Sequence, residues 1–401
     1  MGPRGCRDKG RSGPPAFFFF LSALLMTLGA HSQALGVEWA FGPSLETRGE
    51  YNDNIRLTTA ATHDAVWMAT VIPRLRVEGQ TESSELRGDF RYEPRRYSGG
   101  GDLNSDNFFA YLDGVVKSEF NEWGLDADYK RDSTIQSELL DTGITDVSKV
   151  RWQKSIAPSW QHVFSEFLSS ELGYSFMDVS YENGQEAGLF DYSINTFNAS
   201  ISRLAAEFDY LRLNLYYSAF DAPLVNSKYG DRGLLLGFSH IYSDYYRFDA
   251  SGGVRRTKFS NAISENESST GFIGEISVTR VLELSSAQVT LGRKIDPSGS
   301  GTLMQRDSLV LSMTRRFTAM INGSLALGIY RNKSLERNFT RLDRSYFFVT
   351  PNLTWRVAED WSLRLFYRYQ YSKYDEARDA AQANVAGVKI HYEWPSPLIR
   401  H

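Results

Sequence analysis

The chain has 401 residues, with 44 Lys and Arg against 48 Asp and Glu, a net charge of -4, and 14% aromatic residues. So small a charge excess gives no reason to expect a nucleic-acid partner, and a single cysteine, Cys6, excludes a disulfide framework or a cysteine metal site. The mean hydropathy of -0.37 suits a water-soluble protein, but a strand that alternates apolar and polar residues conceals its lipid-facing side from that average.

The N-terminus predicts export. Arg4, Arg7, Lys9 and Arg11 form a positive region, Ala16 to Leu28 is apolar, and Ser32-Gln33-Ala34 has the small-x-small cleavage pattern. Residues 1–34 therefore read as a signal peptide, with the mature chain starting at Leu35. The apolar run is shorter than the roughly 20 residues a helical span needs. No lipoprotein box precedes Cys6, so a lipid anchor is not expected.

Past the signal, period-2 runs bounded by polar or glycine-rich breaks predict eighteen strands in residues 35–394. The first six are expected near Trp39–Leu57, Ala65–Gly79, Glu85–Tyr97, Asn107–Ser118, Trp123–Asp132 and Lys149–His162. The next six fall near Leu168–Ser180, Asp191–Arg203, Asp209–Phe220, Asp231–His240, Tyr246–Phe259 and Thr270–Val281. The last six fall near Ser286–Ile295, Gln305–Arg316, Ile321–Asn332, Arg344–Val357, Trp361–Tyr374 and Ala381–Trp394. Long and short connections alternate throughout. Ser133 to Ser148 and Asp221 to Gly230 are among the long ones; Gln80 to Ser84 and Ser165 to Phe167 are among the short ones. Long extracellular loops and tight periplasmic turns are the pattern of a transmembrane antiparallel up-and-down β-barrel. No segment long enough for a plug domain precedes the first strand.

Which face meets lipid follows from the arginines. Leu211, Leu213, Leu215 and Tyr217 alternate with Arg212, Asn214, Tyr216 and Ser218, and Leu363, Leu365, Tyr367 and Tyr369 with Arg364, Phe366, Arg368 and Gln370. An arginine facing hydrocarbon costs about 2–4 kcal/mol at the midplane, so the arginine side must be the lumen. Gly387, Ile390, Tyr392 and Trp394 mark the strand expected to close the barrel against the first; Pro395 ends it, and residues 395–401 read as a short periplasmic tail.

The most charged wall is expected where Arg87, Asp89, Arg91, Glu93 and Arg95 share a face with Arg74, Arg76 and Glu78 of the preceding strand. It reads as a basic stripe guiding an anionic solute, or as a self-neutralising ladder of cross-strand ion pairs; the alternation of sign favours the ladder. Tyr216 and Phe366 are lumen-side candidates for stacking on sugar rings. Asn52-Asp53-Asn54 could offer oxygens to a hard cation, but such residues more often cap a turn. The five histidines after the signal are scattered, and no catalytic set can be assembled. No enzyme activity, cofactor or metal is expected.

At Glu50-Tyr51-Asn52-Asp53-Asn54-Ile55-Arg56-Leu57 the chain resembles outer-membrane β-barrels encoded with bacterial exopolysaccharide and exosortase-linked gene clusters. These often open with a Tyr-x-Asp-Asn-Ile segment, followed by a polar loop and a Pro-x-Leu strand, matched here by Pro73-Arg74-Leu75. The matched motif covers the first two strands. The resemblance implies a wide barrel that lets a polysaccharide, or its fragments, cross the outer membrane. The expected partners are outer-membrane lipid, the polymer, the barrel-assembly machinery and a periplasmic export component. The alternatives are a diffusion porin for small hydrophilic solutes, with Ser133 to Ser148 folded inward as a constriction, a rim enzyme, and an adhesive barrel.

Overall fold

The structure, a computed structural model, describes residues 37–59, 65–143, 145–260, 267–335 and 343–395. The proposed signal peptide and residues 396–401 of the proposed tail lie outside the described residues.

Eighteen antiparallel strands form one closed sheet. They are β1 (Glu38–Asn52), β2 (Val66–Gln80), β3 (Ser84–Tyr97), β4 (Ser105–Lys117), β5 (Asn121–Ser133) and β6 (Val150–Ser165). Next come β7 (Leu168–Tyr181), β8 (Tyr192–Ala206), β9 (Asp209–Ala222), β10 (Ser227–Ser243), β11 (Tyr246–Ser260) and β12 (Ser268–Leu282). The series ends with β13 (Ser285–Pro297), β14 (Leu303–Arg316), β15 (Ile321–Ser334), β16 (Arg344–Arg356), β17 (Trp361–Tyr374) and β18 (Ala381–Glu393). Each pairs with its neighbours in sequence, and β18 returns to β1 from Ser44 opposite Glu393 to Asn52 opposite Val385. Closure leaves no free strand edge, and the ladders are interrupted at proline-bearing stretches such as those around Pro73, Pro158 and Pro351. Among the described residues no helix is long and apolar enough to cross a membrane.

Two boundaries differ from the sequence reading by more than three residues. β1 stops at Asn52 rather than Leu57, because the Asn52 Oδ1 accepts the Asn54 N–H at 2.9 Å and Leu57 takes a positive φ of 49°. Asn52-Asp53-Asn54 is thus a turn, and Asp53 Oδ1 and Oδ2 accept the Asn384 N–H and Nδ2 at 2.7 and 2.8 Å. The expected long loop from Asp221 to Gly230 shrinks to residues 223–226, since Asn226 turns the chain at φ 49° and Ser227 already pairs with Ala222.

The outer wall is a register-matched apolar band. Leu215, Leu234, Val254 and Phe272 stand side by side on β9 to β12 and are 41–60% exposed. An aromatic girdle surrounds the short-turn end, with Trp123, Phe167, Phe208, Tyr242, Phe317 and Trp361 all exposed. At the closing seam Tyr392 lies between Trp361 (4.7 Å between ring centroids) and Trp394 (4.8 Å). Such rings suit a boundary where one end is apolar and the other wet.

Candidate functional site

The inner wall keeps its bore by laying aromatic rings on glycines. Tyr216, Phe348 and Phe366 each face a glycine on the adjacent strand (Gly233, Gly328 and Gly387), and a Cβ at any of the three would overlap the ring. A ring flattened on a bare backbone fills the gap the glycine leaves without projecting into the lumen. This uses the rings that the sequence offers for sugar stacking. Phe366 is buried, with the Arg48 guanidinium 5.3 Å and the Lys389 ammonium 5.9 Å from its ring centroid. Tyr216 donates its hydroxyl to Asp231 Oδ2 at 2.7 Å. Phe366 therefore has no free face for a sugar, which corrects the stacking expectation at that position.

The charged wall runs across β1, β2 and β3. Arg76 pairs in register with Asp89, Glu78 with Arg87, and Arg74 with Arg91. The ions then couple diagonally. Arg74 donates to Asp89, Arg76 reaches Glu393 at 3.4 Å, and Arg87 holds Glu85 and lies 3.8 Å from Asp113. Glu93, 4% exposed, gathers Arg95 at 2.6 Å with Arg48 and Arg91 each at 3.8 Å. Of the other sequence candidates, Arg212 donates to Ser202 Oγ at 3.0 Å, away from this wall. Arg364 and Arg368, on β17, donate to the hydroxyls of Thr354 and Thr350 at 3.1 Å each. Neither has a carboxylate within ion-pair distance among the described residues. Gly387 is the inner-face floor under Phe366, whereas Ile390 and Trp394 are exposed on the outer face with Tyr392 between them.

The connection from β5 to β6 folds into the barrel. It carries the short helix α1 (Glu138–Asp141) and is held at both sides. On the near side Arg151 on β6 reaches Asp132 at 3.2 Å and the buried Glu138 carboxylate at 3.3 Å, and the Tyr181 hydroxyl donates to Glu138 Oε1 at 2.6 Å. On the far side the donors go to main-chain carbonyls at the end of α1. Arg344 on β16 donates to the Leu139 carbonyl at 2.7 Å and to Ser372 Oγ at 2.8 Å. Asn332 donates to the Asp141 carbonyl at 3.1 Å, Arg306 donates to the same oxygen, and the Tyr374 hydroxyl donates to the Gly143 carbonyl. The last carbonyls of a helix have no partner within it, so these side chains satisfy groups that would otherwise be orphaned. Burial pushes the Asp141 carboxyl above the usual carboxylate range, with Arg306 opposing the shift.

Two apolar clusters lie toward the long-loop end, and the loop contributes to the first of them. One joins Leu57, Val66, Leu103, Ile135, Leu139 and Tyr346. The other sets Tyr192, Phe220, Tyr229 and Phe259, one from each of β8 to β11, in a row with ring centroids 5.2–5.3 Å apart, stacked, then tilted, then edge-to-face, with Leu189 and Leu303 against them. Beneath α1 remains a cavity of about 180 Å³ lined by Asp141, Arg306, Tyr330, Tyr346, Phe348 and Arg368. None of Arg306, Asn332, Arg344 or Tyr374 is marked out in the sequence, because each meets the loop across 165 or more residues.

No protein-family model matches the chain, and no curated protein matches its sequence. Solved structures do match it in shape. OccAB4 of Acinetobacter baumannii superposes with a TM-score of 0.51 at 8% identity, over 90% of this chain and 98% of that one. The barrel has the fold of these Occ porins. OccK2 of Pseudomonas aeruginosa, solved in complex with glucuronate, gives a TM-score of 0.50 at 11% identity, over 88% of this chain and 98% of that one.

Proposed function

We propose that the chain is an outer-membrane channel for small hydrophilic anions, delivered through the secretory pathway and inserted by the barrel-assembly machinery. The observation that carries this reading is the loop of residues 134–149, fixed to opposite walls of the lumen beside guanidiniums that have no carboxylate of their own. A narrowed bore limits passage to small solutes, and Arg364 and Arg368 favour those with negative charge. The cavity under α1 joins the Arg368 guanidinium, and an Arg306 already paired with Asp296 at 3.3 Å, to the rings of Tyr330, Tyr346 and Phe348, a combination suited to a carboxylate carried on a ring-sized body. Glucuronate, held by the similarly folded OccK2, is an anion of that class.

Export of an exopolysaccharide, implied by the resemblance of the opening strand, fits less well. A polymer would need the loop to leave the bore, against side-chain anchors on two walls and the apolar cluster that holds Ile135 and Leu139. Liposome swelling with solutes of graded size separates the readings. Entry of a monosaccharide acid, with exclusion of neutral and acidic oligosaccharides, is the expected result. Equal permeation by an oligosaccharide of about ten sugars would refute the small-solute reading and restore export.

A further inference from the structure

The outer wall holds a patch that the channel reading does not use. One row above Leu215, Leu234, Val254 and Phe272, toward the long-loop end, the register places Tyr217, Arg232, Arg256 and Thr270 side by side. In the next row Gly230 lies opposite Lys258, and Lys228 lies two residues along β10 from Gly230. Lys228, Arg232, Arg256 and Lys258 are all exposed, on the same face as the lipid-facing aliphatics. Lys228 reaches Asp221 at 3.4 Å. Among the described residues, Arg232, Arg256 and Lys258 have no carboxylate within ion-pair distance.

That is unlike the rest of this level of the outer wall. Arg293 is matched to Asp307 at 2.6 Å, Arg331 to Asp375 at 3.1 Å and Arg96 to Asp106 at 2.7 Å. Like charges directly opposite on neighbouring strands destabilise a sheet, and here Arg232 faces Arg256, with Lys258 diagonal to Arg232 and two residues from Arg256 along β11. The arrangement calls for an anion from outside the chain. Its floor is already shaped: Gly230 has no side chain, and the Tyr217 hydroxyl lies 3.5 Å from where a Cβ of residue 230 would stand. The centre of the patch is thus a shallow surface ringed by three unpaired cations, one paired lysine and a phenol donor.

We propose that Arg232, Arg256 and Lys258, around Gly230 and beside Tyr217, bind the phosphate group of a phosphorylated glycolipid in the outer leaflet. The depth fits, because the cations begin one strand step (two residues, about 7 Å) above the last aliphatic row, where acyl chains give way to headgroups. The chemistry fits as well: guanidinium matches phosphate oxygens bidentately. The lipid's chains would lie along Leu234, Val254 and Phe272. The inference rests on the membrane reading of the barrel but not on what the lumen carries.

The test is native mass spectrometry of the full chain in detergent, titrated with diphosphoryl lipid A and with the same glycolipid after phosphatase treatment. The native barrel should retain the diphosphoryl form and lose most binding of the dephosphorylated one. Each cation near an anionic headgroup contributes about a five-fold factor, so R256Q should weaken retention about five-fold and R232Q/R256Q/K258Q about a hundred-fold. R293Q, whose arginine is already paired, should change it little. Single-channel conductance of R256Q in the same detergent preparation should equal that of the native chain; this reports on the barrel reading separately and confirms folding. Equal retention of the two glycolipids, or undiminished retention by folded R256Q, would overturn the assignment. Displacement of the glycolipid by millimolar inorganic phosphate would also overturn it in favour of a free-anion site.

Discussion

On the wall of β1 to β3 the inner-face guanidiniums find carboxylates within two strands, whereas on the far side of the lumen Arg344, Asn332 and Tyr374, joined by an Arg306 that also pairs with Asp296, donate to main-chain carbonyls of the inward loop. The wall is a charged lattice that neutralises itself and stiffens the barrel. On that far side the loop is tethered by hydrogen bonds to neutral acceptors, each of which water could replace if the loop swung away, while on the near side its Glu138 carboxylate is held by Arg151 and Tyr181. Fixed structure therefore belongs to the wall, and adjustable aperture belongs to the loop.

Four substitutions sharpen or break this contrast. The largest effect is expected from E93Q, because Glu93 is buried among Arg48, Arg91 and Arg95. Arg48 keeps Glu50 and Arg91 is 40% exposed, but the largely buried Arg95 would lose its carboxylate, which should cost about 3 kcal/mol, read as an earlier urea midpoint for loss of the folded, heat-modifiable band on gels. A loss below 1 kcal/mol would mean the lattice does not hold the wall. R344M removes a charged donor from Leu139 and should weaken loop docking by about 1.5–3 kcal/mol. Global unfolding should stay near that of the native chain while protease cleavage within residues 134–149 accelerates; cleavage at the native rate would show that the carbonyl tether is idle.

D89N is milder. The Arg74–Asp89 pair is about one-third exposed, so its stability contribution falls in the range of about 0.2–1 kcal/mol. Its effect should appear in permeation, since the remaining Arg74 charge shifts the reversal potential in a salt gradient toward anion selectivity. An unchanged potential would place this pair outside the ion path. The smallest effect is expected from D141N. The Asp141 carboxyl is raised by burial in the docked loop, so the docked state binds its proton more tightly than the released state does. Docking should therefore strengthen as pH falls from the raised value toward the ordinary carboxylate range, and D141N should imitate the acidic behaviour at neutral pH. Closure events whose pH dependence survives D141N would assign the titration to another group.

The parts legible in the sequence were those that repeat every two residues. Alternations such as Leu213-Asn214-Leu215-Tyr216 fix a strand and its two faces from local order alone, and the run of Arg87, Asp89, Arg91 and Glu93 announces an ion-paired ladder because both signs share one face. The length of Ser133 to Ser148 singled it out as a constriction loop. What could not be read was where that loop lands. Arg344 meets Leu139 across 205 residues, and nothing near either residue encodes the meeting. The tight turn at residues 223–226 was hidden for another reason: Pro223 and Asn226 look like loop residues over a longer stretch, yet Asn226 in the left-handed region reverses the chain within a few positions. Phe366 was placed on the correct strand, but Gly387, which captures its ring, belongs to the next one.

The most direct measurement is single-channel conductance in planar bilayers, comparing the native chain with one in which residues 136–147 are replaced by a short Gly-Ser linker. The account predicts a small, anion-preferring conductance for the native barrel and a larger, less selective one once the loop is gone. Equal conductance in the two would contradict it, as would a native barrel that passes no current.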